Sequence, residues 1–207
     1  MKIFVLGATG GTGRLIVSDA VTKGHSVVAL VRSMASAGLP DAGIIEGDAR
    51  NEATLARAMD GCDAVVSALG TGMGRRKVDL LTVATRAMIT AMTRNGVRRL
   101  VCVSALGVGD SRGHGGFVFD RLFQPLLLSE AYKDKERQEA AIRASPLDWV
   151  LVRPAMLTDD PARGNARAIT DLARVKGGKI ARADVAQFVV DHLTTDTYLR
   201  QTPVLMW

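Results

Sequence analysis

Three glycines spaced Gly7-x-x-Gly10-x-x-Gly13 follow the apolar run Ile3-Phe4-Val5-Leu6 directly and open the next segment of the chain. A continuous apolar run of this length fits a strand covered on both faces, as in a parallel sheet. At a strand-to-helix junction Gly7 permits the tight turn, Gly10 lets the backbone approach a pyrophosphate, and Gly13 lets the helix pack closely on the strand. Exposed N–H groups and the helix dipole favour an anion at the same place. A turn of this kind without a ligand would cost helix and loop entropy with no structural return. The turn is therefore read as a dinucleotide site.

The rest of the chain repeats the change of period that this turn begins. Apolar runs at Val27–Val31, Ala64–Ser67, Leu100–Ser104 and Trp149–Val152 predict parallel strands, with a weaker one at Ile44–Glu46. Between them lie helices predicted at Asn51–Met59, with Asn51 as N-cap, and at Val78–Arg94, where Leu81, Ala84, Met88 and Ala91 share a face and Asn95-Gly96 marks the stop. A further helix is expected from Glu130 to Ala144, capped by Ser129, and another from Asp184 to Leu193, capped by Asp184. An edge strand is expected near Val204–Trp207. Right-handed crossovers wind such units into an α/β fold, a doubly wound, mostly parallel sheet with helices on both faces. With 207 residues the pattern predicts one domain over 1–207. Segments at about 107–128 and 159–179 are left to shape a substrate side.

Composition narrows the partners. A hydrophobic fraction of 47% and a charged fraction of 23% describe a chain that builds a core. The net charge of +6 fits nucleic acid, an acidic membrane surface, or an anionic cofactor. Nucleic acid finds no recognition motif, and Trp and Tyr are too few to interleave a basic groove. No apolar run approaches the roughly 20 residues of a membrane span, and a cytoplasmic location is expected. Cys62 and Cys102 lack CxxC spacing and the three histidines are far apart, so neither a disulfide scaffold nor a metal site is expected. After the second strand the chain reads Val31-Arg32-Ser33, where a dinucleotide fold usually carries a carboxylate for the ribose. Arg32 and Ser33 suit a 2′-phosphate instead, which favours NADP(H) over NAD(H). The alternative is that Arg32 is one more basic residue on a solvated loop. Asp48 either accepts from the adenine amino group or belongs to an ordinary helix-entry turn with Gly47 and Ala49.

On these residues the sequence resembles the atypical short-chain dehydrogenase/reductase families, and within them the biliverdin-IXβ reductase/flavin reductase (NmrA-like) group. GATGGTGR, the VRS after the second strand, GDAR at 47–50, DAVVSALGTG at 63–72, VSALG at 103–107 and LTTDTY at 193–198 fall in the family's order across essentially the whole chain. The resemblance implies a single-domain Rossmann fold, reduced NADP as hydride donor, and reduction of flavins, quinones or tetrapyrroles in an open pocket. It assigns Gly7, Thr9, Gly10, Thr12 and Gly13 to the pyrophosphate, with Gly11 in the same turn. Arg32 and Ser33 go to the 2′-phosphate, Asp48 and Ala49 to the adenine side, and Ala68, Leu69 and Gly70 to the ribose. Ser104 matches the family's active-site serine, and Arg153, Pro154, Ala155 and Met156 flank the nicotinamide. Biliverdin-reducing members have a histidine where Met156 aligns, which puts a tetrapyrrole substrate in doubt.

The wider superfamily uses a Tyr-x-x-x-Lys pair as general acid, whereas here Tyr132 is followed at that spacing by Glu136. Oxidation of secondary alcohols then lacks its usual proton acceptor. A flavin or quinone needs less help, because solvent can supply the proton once the ring is held over the nicotinamide. Ser104 either orients that ring or is satisfied within the strand end. Lys135 and Glu139, one helical turn apart, read first as a solvated ion pair and otherwise as catalytic; Tyr132 either packs or reaches the pocket. Phe117, Phe119 and Phe123 form either an apolar flap or a core-facing helix entry. The loop Arg75-Arg76-Lys77 is either a solvated run or a lure for an anionic substrate. Three functions stand: an NADPH-dependent reductase of a small, flat, conjugated acceptor, an NADP(H)-binding redox sensor without turnover, and a reductase or isomerase of a specific metabolite with Ser104, Tyr132 or Lys135 handling a proton.

Overall fold

Runs of Val, Ile and Leu become strands because their side chains fill a pleated surface covered on both sides. A computed structural model, describing residues 1–36, 38–39, 41–71, 79–117, 120–121 and 128–207, shows these runs as β1 (Lys2–Leu6), β2 (Ser26–Val31), β3 (Ala42–Glu46), β4 (Ala64–Ser67), β5 (Arg99–Val103) and β6 (Asp148–Pro154). They alternate with α1 (Gly11–Thr22), α2 (Glu52–Ala58), α3 (Leu80–Arg94) and α4 (Ser129–Arg143). Beyond β6 come β7 (Met156–Thr158), β8 (Arg167–Ile169), β9 (Lys179–Ala181), α5 (Arg182–Asp191) and β10 (Val204–Met206).

The main sheet runs β3-β2-β1-β4-β5-β6-β10-β8. Its neighbours are parallel except β8, which runs antiparallel to β10. This is the expected doubly wound sheet, and its order reverses between β1 and β4, the place where such sheets open a ligand crevice. The segment from 159 to 179, expected to be loose, contributes β8 to this sheet, and β9 pairs with β7 in a separate small one. β10 is consequently not the edge strand that the sequence predicted, because β8 covers its outer side.

Alternation along each strand sends side chains to two separate layers. Ile3, Val5, Ala29, Val66, Val101 and Val150 pack with Ile16 and Val17 of α1 and Val185 and Val189 of α5. Phe4, Leu6, Leu30, Val65, Leu100 and Leu151 face the other way, onto Leu55 of α2, Met88 and Met92 of α3 and Ile142 of α4. Small β-branched residues thus fill the side where α1 approaches closely, and longer side chains fill the other. Among the described residues no helix is long and apolar enough to cross a membrane.

Two predicted caps are corrected. Ser129 is the first residue of α4, whose cap position falls to Leu128 and carries no side-chain hydrogen bond. Asp184 does not open α5, which begins at Arg182. Its buried carboxylate instead accepts from the Arg163 and Gly164 N–H groups and the Trp207 indole. Three donors outcompete a local cap because together they satisfy a charge that burial would otherwise penalise. Asn51 does cap α2, accepting from the Thr54 N–H at 3.0 Å. The start of the α3 prediction at Val78, the basic residues Arg75, Arg76 and Lys77, and Phe119 and Phe123 lie outside the described residues.

Burial pushes the Asp184 carboxyl up, but its backbone and indole donors prevail and hold it below the ordinary carboxylate range. A lowered folded value means that this stabilisation is complete above the unfolded value of about 3.9 and is lost as pH falls through the folded one. Asp184→Asn should therefore cost about 1–3 kcal/mol at pH 7. The gap from the wild type in urea midpoint should close as acid protonates the wild-type carboxylate.

Candidate active site

At the end of β1 the chain enters the glycine turn with Gly7 at φ +79°, a backbone geometry that suits glycine. A Cβ on Gly7 would stand 2.5 Å from the Ala68 carbonyl oxygen, and one on Gly13 would stand 2.1 Å from the Gly7 oxygen. Neither contact tolerates a side chain. The first brings the turn after β1 against Ala68 and Leu69 after β4, at the switch point of the sheet. The second presses α1 onto the turn, with the Gly10 N–H donating to the Gly7 carbonyl at 3.0 Å. Gly10 caps α1 without a side-chain bond, and no acidic residue sits in the first turn. Thr9, Gly10 and Gly11 are exposed there. An exposed helix N-terminus without its own counter-charge, in a turn whose close backbone packing excludes side chains at Gly7 and Gly13, fits a diphosphate.

Arg32 and Ser33 lie exposed just beyond the end of β2. Behind them the Met34 N–H donates to the Glu46 carboxylate at 3.0 Å and the Gly47 N–H to the Val31 carbonyl. Asp48 is gripped by Arg50 through two short contacts, Nε–Oδ1 at 3.0 Å and Nη2–Oδ2 at 2.5 Å. Arg50 lowers the Asp48 carboxyl to about 2, and the charge of Arg32 adds to the effect. Asp48 is therefore a fixed anion between two arginines, with Ala49 half-buried beside it.

On the other side of the switch point a cavity of about 860 Å³ opens at the carboxyl ends of β5 and β6. Ser104, Leu106, Tyr132, Pro154, Met156 and Arg182 are among its lining residues, as are Ala105, Ala155, Leu157 and Phe117. Phe117 is 78% exposed and Met156 66% exposed, so large apolar side chains stand open at its mouth. Solvent-facing apolar surface around a concave site marks a place where an apolar molecule binds.

The residues singled out for catalysis divide sharply. Ser104 is buried and donates its hydroxyl to Glu139 Oε1 at 2.6 Å. A serine whose proton is committed to a carboxylate can only accept from a third group. Tyr132 donates to the Leu106 carbonyl at 3.1 Å, and burial pushes its phenol up to about 12. Lys135 Nζ lies 3.4 Å from the Val103 carbonyl oxygen, with burial pulling its ammonium below the ordinary value.

The solvated Lys135–Glu139 pair expected from spacing is not formed. Glu139 turns inward and takes Arg153 in a fork, Nε–Oε1 at 3.0 Å and Nη2–Oε2 at 2.6 Å. A guanidinium at 0% exposure needs a planar counter-anion, and its fork matches a carboxylate in a way that the lysine ammonium cannot. Arg153 also reaches Asp110 at 2.5 Å. Burial raises the Asp110 carboxyl, but the hydrogen bond and charge of Arg153 bring it below the usual range. The Arg153 side chain is thereby directed to these acids, while Pro154, Ala155 and Met156 line the cavity.

Three participants were not found from the sequence. Asp110 sits in a glycine-rich stretch with no motif. Asp159, paired with Arg182 at 2.9 Å, opens the poorly patterned segment 159–179, and Arg182 lies just beyond its end. The one available signal was a basic residue ahead of a predicted helix start, where a carboxylate is the favoured choice.

The sequence model of a family described as NAD(P)H-binding matches residues 7–196. A Bacillus subtilis protein named as the uncharacterized sugar epimerase YhfK is 32% identical over 204 residues, covering 93% of this chain and 88% of its own. Among solved structures, ChuY, an anaerobilin reductase from Escherichia coli O157:H7, superposes with a TM-score of 0.85 at 24% identity, over 100% of this chain and 97% of its own. A short-chain dehydrogenase/reductase of Veillonella parvula in complex with NADP gives a TM-score of 0.80 at 17% identity, over 100% and 94%.

Removing one partner of a buried ion pair costs about 3–5 kcal/mol, because the other charge is stranded. Arg153→Met should lose about that much in urea unfolding. Adding Glu139→Gln should restore part of it, giving a double-mutant loss well short of the sum of the single losses.

Proposed function

The chain belongs to the NAD(P)H-binding domain family, and from that premise we propose that it is an NADPH-dependent reductase of a flat, conjugated acceptor such as a flavin or quinone. The observation that carries this reading is the cavity of about 860 Å³ at the ends of β5 and β6, open through Phe117 and Met156, whose lining residue Arg182 also passes beside Gly11 of the glycine turn. A redox sensor has no use for a substrate-sized apolar space beside the reacting end of its cofactor. The epimerase in the name of the Bacillus relative would call for a proton-transferring pair at that place. Here Tyr132 holds its proton, and Glu136 stands where the lysine of such a pair would be.

In this reading Gly7 and Thr9 to Gly13 hold the diphosphate, and Arg32 and Ser33 take the 2′-phosphate. Asp48 and Ala49 border the adenine, and Ala68, Leu69 and Gly70 pass the ribose. The bound cofactor supplies the hydride. The chain supplies position. Ser104, committed as donor to Glu139, offers lone pairs that can only accept, as from the N–H of a carboxamide or a flavin ring. Pro154, Ala155 and Met156 form one wall, and Leu106 and Phe117 line the other side. Solvent at the cavity mouth provides the proton that completes reduction.

Purified protein with NADPH and a panel of FMN, riboflavin and quinones should oxidise the cofactor above background for at least one acceptor; no turnover with any of them would contradict the proposal. Arg32→Asp should raise the NADPH Kd by about 10- to 100-fold through loss of a forked phosphate contact, while changing the NADH Kd much less. Equal losses for both cofactors would remove the 2′-phosphate assignment. Ser104→Ala should lower kcat about tenfold while the NADPH Kd stays within about twofold, which is the signature of lost orientation.

A further inference from the structure

Arg182 stands at the amino ends of two helices at once. It is the first residue of α5, and its Cδ and Nε pass 3.1 Å from where a Cβ on Gly11, the first residue of α1, would stand. Gly11 does not adopt the left-handed backbone that calls for glycine. Its bare Cα makes room for the arginine stem. Both helix ends carry partial positive charge, so a guanidinium is on the unfavourable side of each dipole. Its carboxylate partner Asp159 is 86% exposed, and an ion pair in that setting contributes little. Asp184, the acidic residue in the first turn of α5, is occupied by Arg163, Gly164 and Trp207.

Two sources of positive potential therefore meet over Gly10 and Gly11: the end of α1, which has no acidic residue in its first turn, and the Arg182 guanidinium. An anion in that space turns each unfavourable term into a favourable one. We propose that Arg182 is a ligand of the cofactor diphosphate, delivered from α5, and that it exchanges Asp159 for a phosphate oxygen when the dinucleotide binds. The inference rests on the dinucleotide reading of the glycine turn, but not on turnover or on the choice of acceptor. It also joins the two halves of the site, because Arg182 lines the acceptor cavity as well. Among the described residues of that lining it is the charged one.

Calorimetric titration of the full chain with NADPH and with NADH, at one fixed ionic strength, tests this. The diphosphate is common to both, so Arg182→Gln should weaken both by the same factor, about tenfold for a lost charge-assisted bond. Arg182→Lys should recover part of that loss. Asp159→Asn, which removes the competing partner, should tighten both by about two- to threefold. Unchanged affinities in Arg182→Gln, or a loss confined to NADPH, overturn the proposal. If Arg182→Gln does not fold, Asp159→Asn decides alone, since weaker binding there is contrary to an exchange. Wild-type protein that binds neither cofactor would defeat the reductase reading itself, whereas wild-type binding with undiminished Arg182→Gln binding defeats only this inference.

Discussion

Among the described glycines the tightest seat is that of Gly13 against the Gly7 carbonyl, where a methyl group would stand 2.1 Å from the oxygen. That contact sets how near α1 can lie to β1. The matching contact at Gly7 brings the turn against Ala68 after β4. With α1 seated this low, the strands meet it with Ile3, Val5, Ala29, Val66 and Val101 rather than with Phe or Met. The opposite face has no such constraint and takes Phe4, Met59, Met88 and Met92.

The second organising element is electrostatic, and it is held by α4. This helix buries Asp134, Gln138 and Glu139, an unusual load for one face. Each has a defined task. Asp134 accepts from the Leu81 and Thr82 N–H groups and so caps α3 from a neighbouring helix. Gln138 donates to Thr85 at 3.0 Å. Glu139 fixes both Arg153 and Ser104. Burying ionic groups gives little net stability against an apolar core of the same volume. What it fixes here is geometry, since the Ser104 hydroxyl at the cavity wall is oriented by a carboxylate that is itself held in a fork.

Much of the sheet was legible because parallel strands covered on both faces leave continuous apolar runs, as β1, β2, β4, β5 and β6 do, whereas the half-exposed β3 left only the weaker run Ile44–Glu46. The glycine turn was legible for a related reason: close backbone approach admits only one residue type. The short strands β7, β8 and β9 left no run, being three residues each with partly exposed sides. The partner of Glu139 was misjudged because spacing along a helix reports only neighbours on that helix, and Arg153 comes from β6. Arg182 escaped notice because its meaning depends on Gly11, which is 171 residues away in the chain and adjacent only after α5 packs on α1. Asp184 looked like a cap for the same reason, since its donors come from a loop and from Trp207.

The place of β10 also bears on how the chain acquires its structure as it leaves the ribosome. β8 precedes β10 by more than thirty residues, yet it joins the sheet only through β10, which lies between it and β6. Until Val204–Met206 has emerged and threaded into that gap, β8 has no strand to pair with, and the Trp207 indole cannot reach Asp184. The first six strands can assemble in the order of synthesis, from local crossovers. The wall of the cavity nearest β7 and β9 is finished by residues made afterwards. A nascent chain would thus have its glycine turn in place before the cavity beyond β5 and β6 is walled.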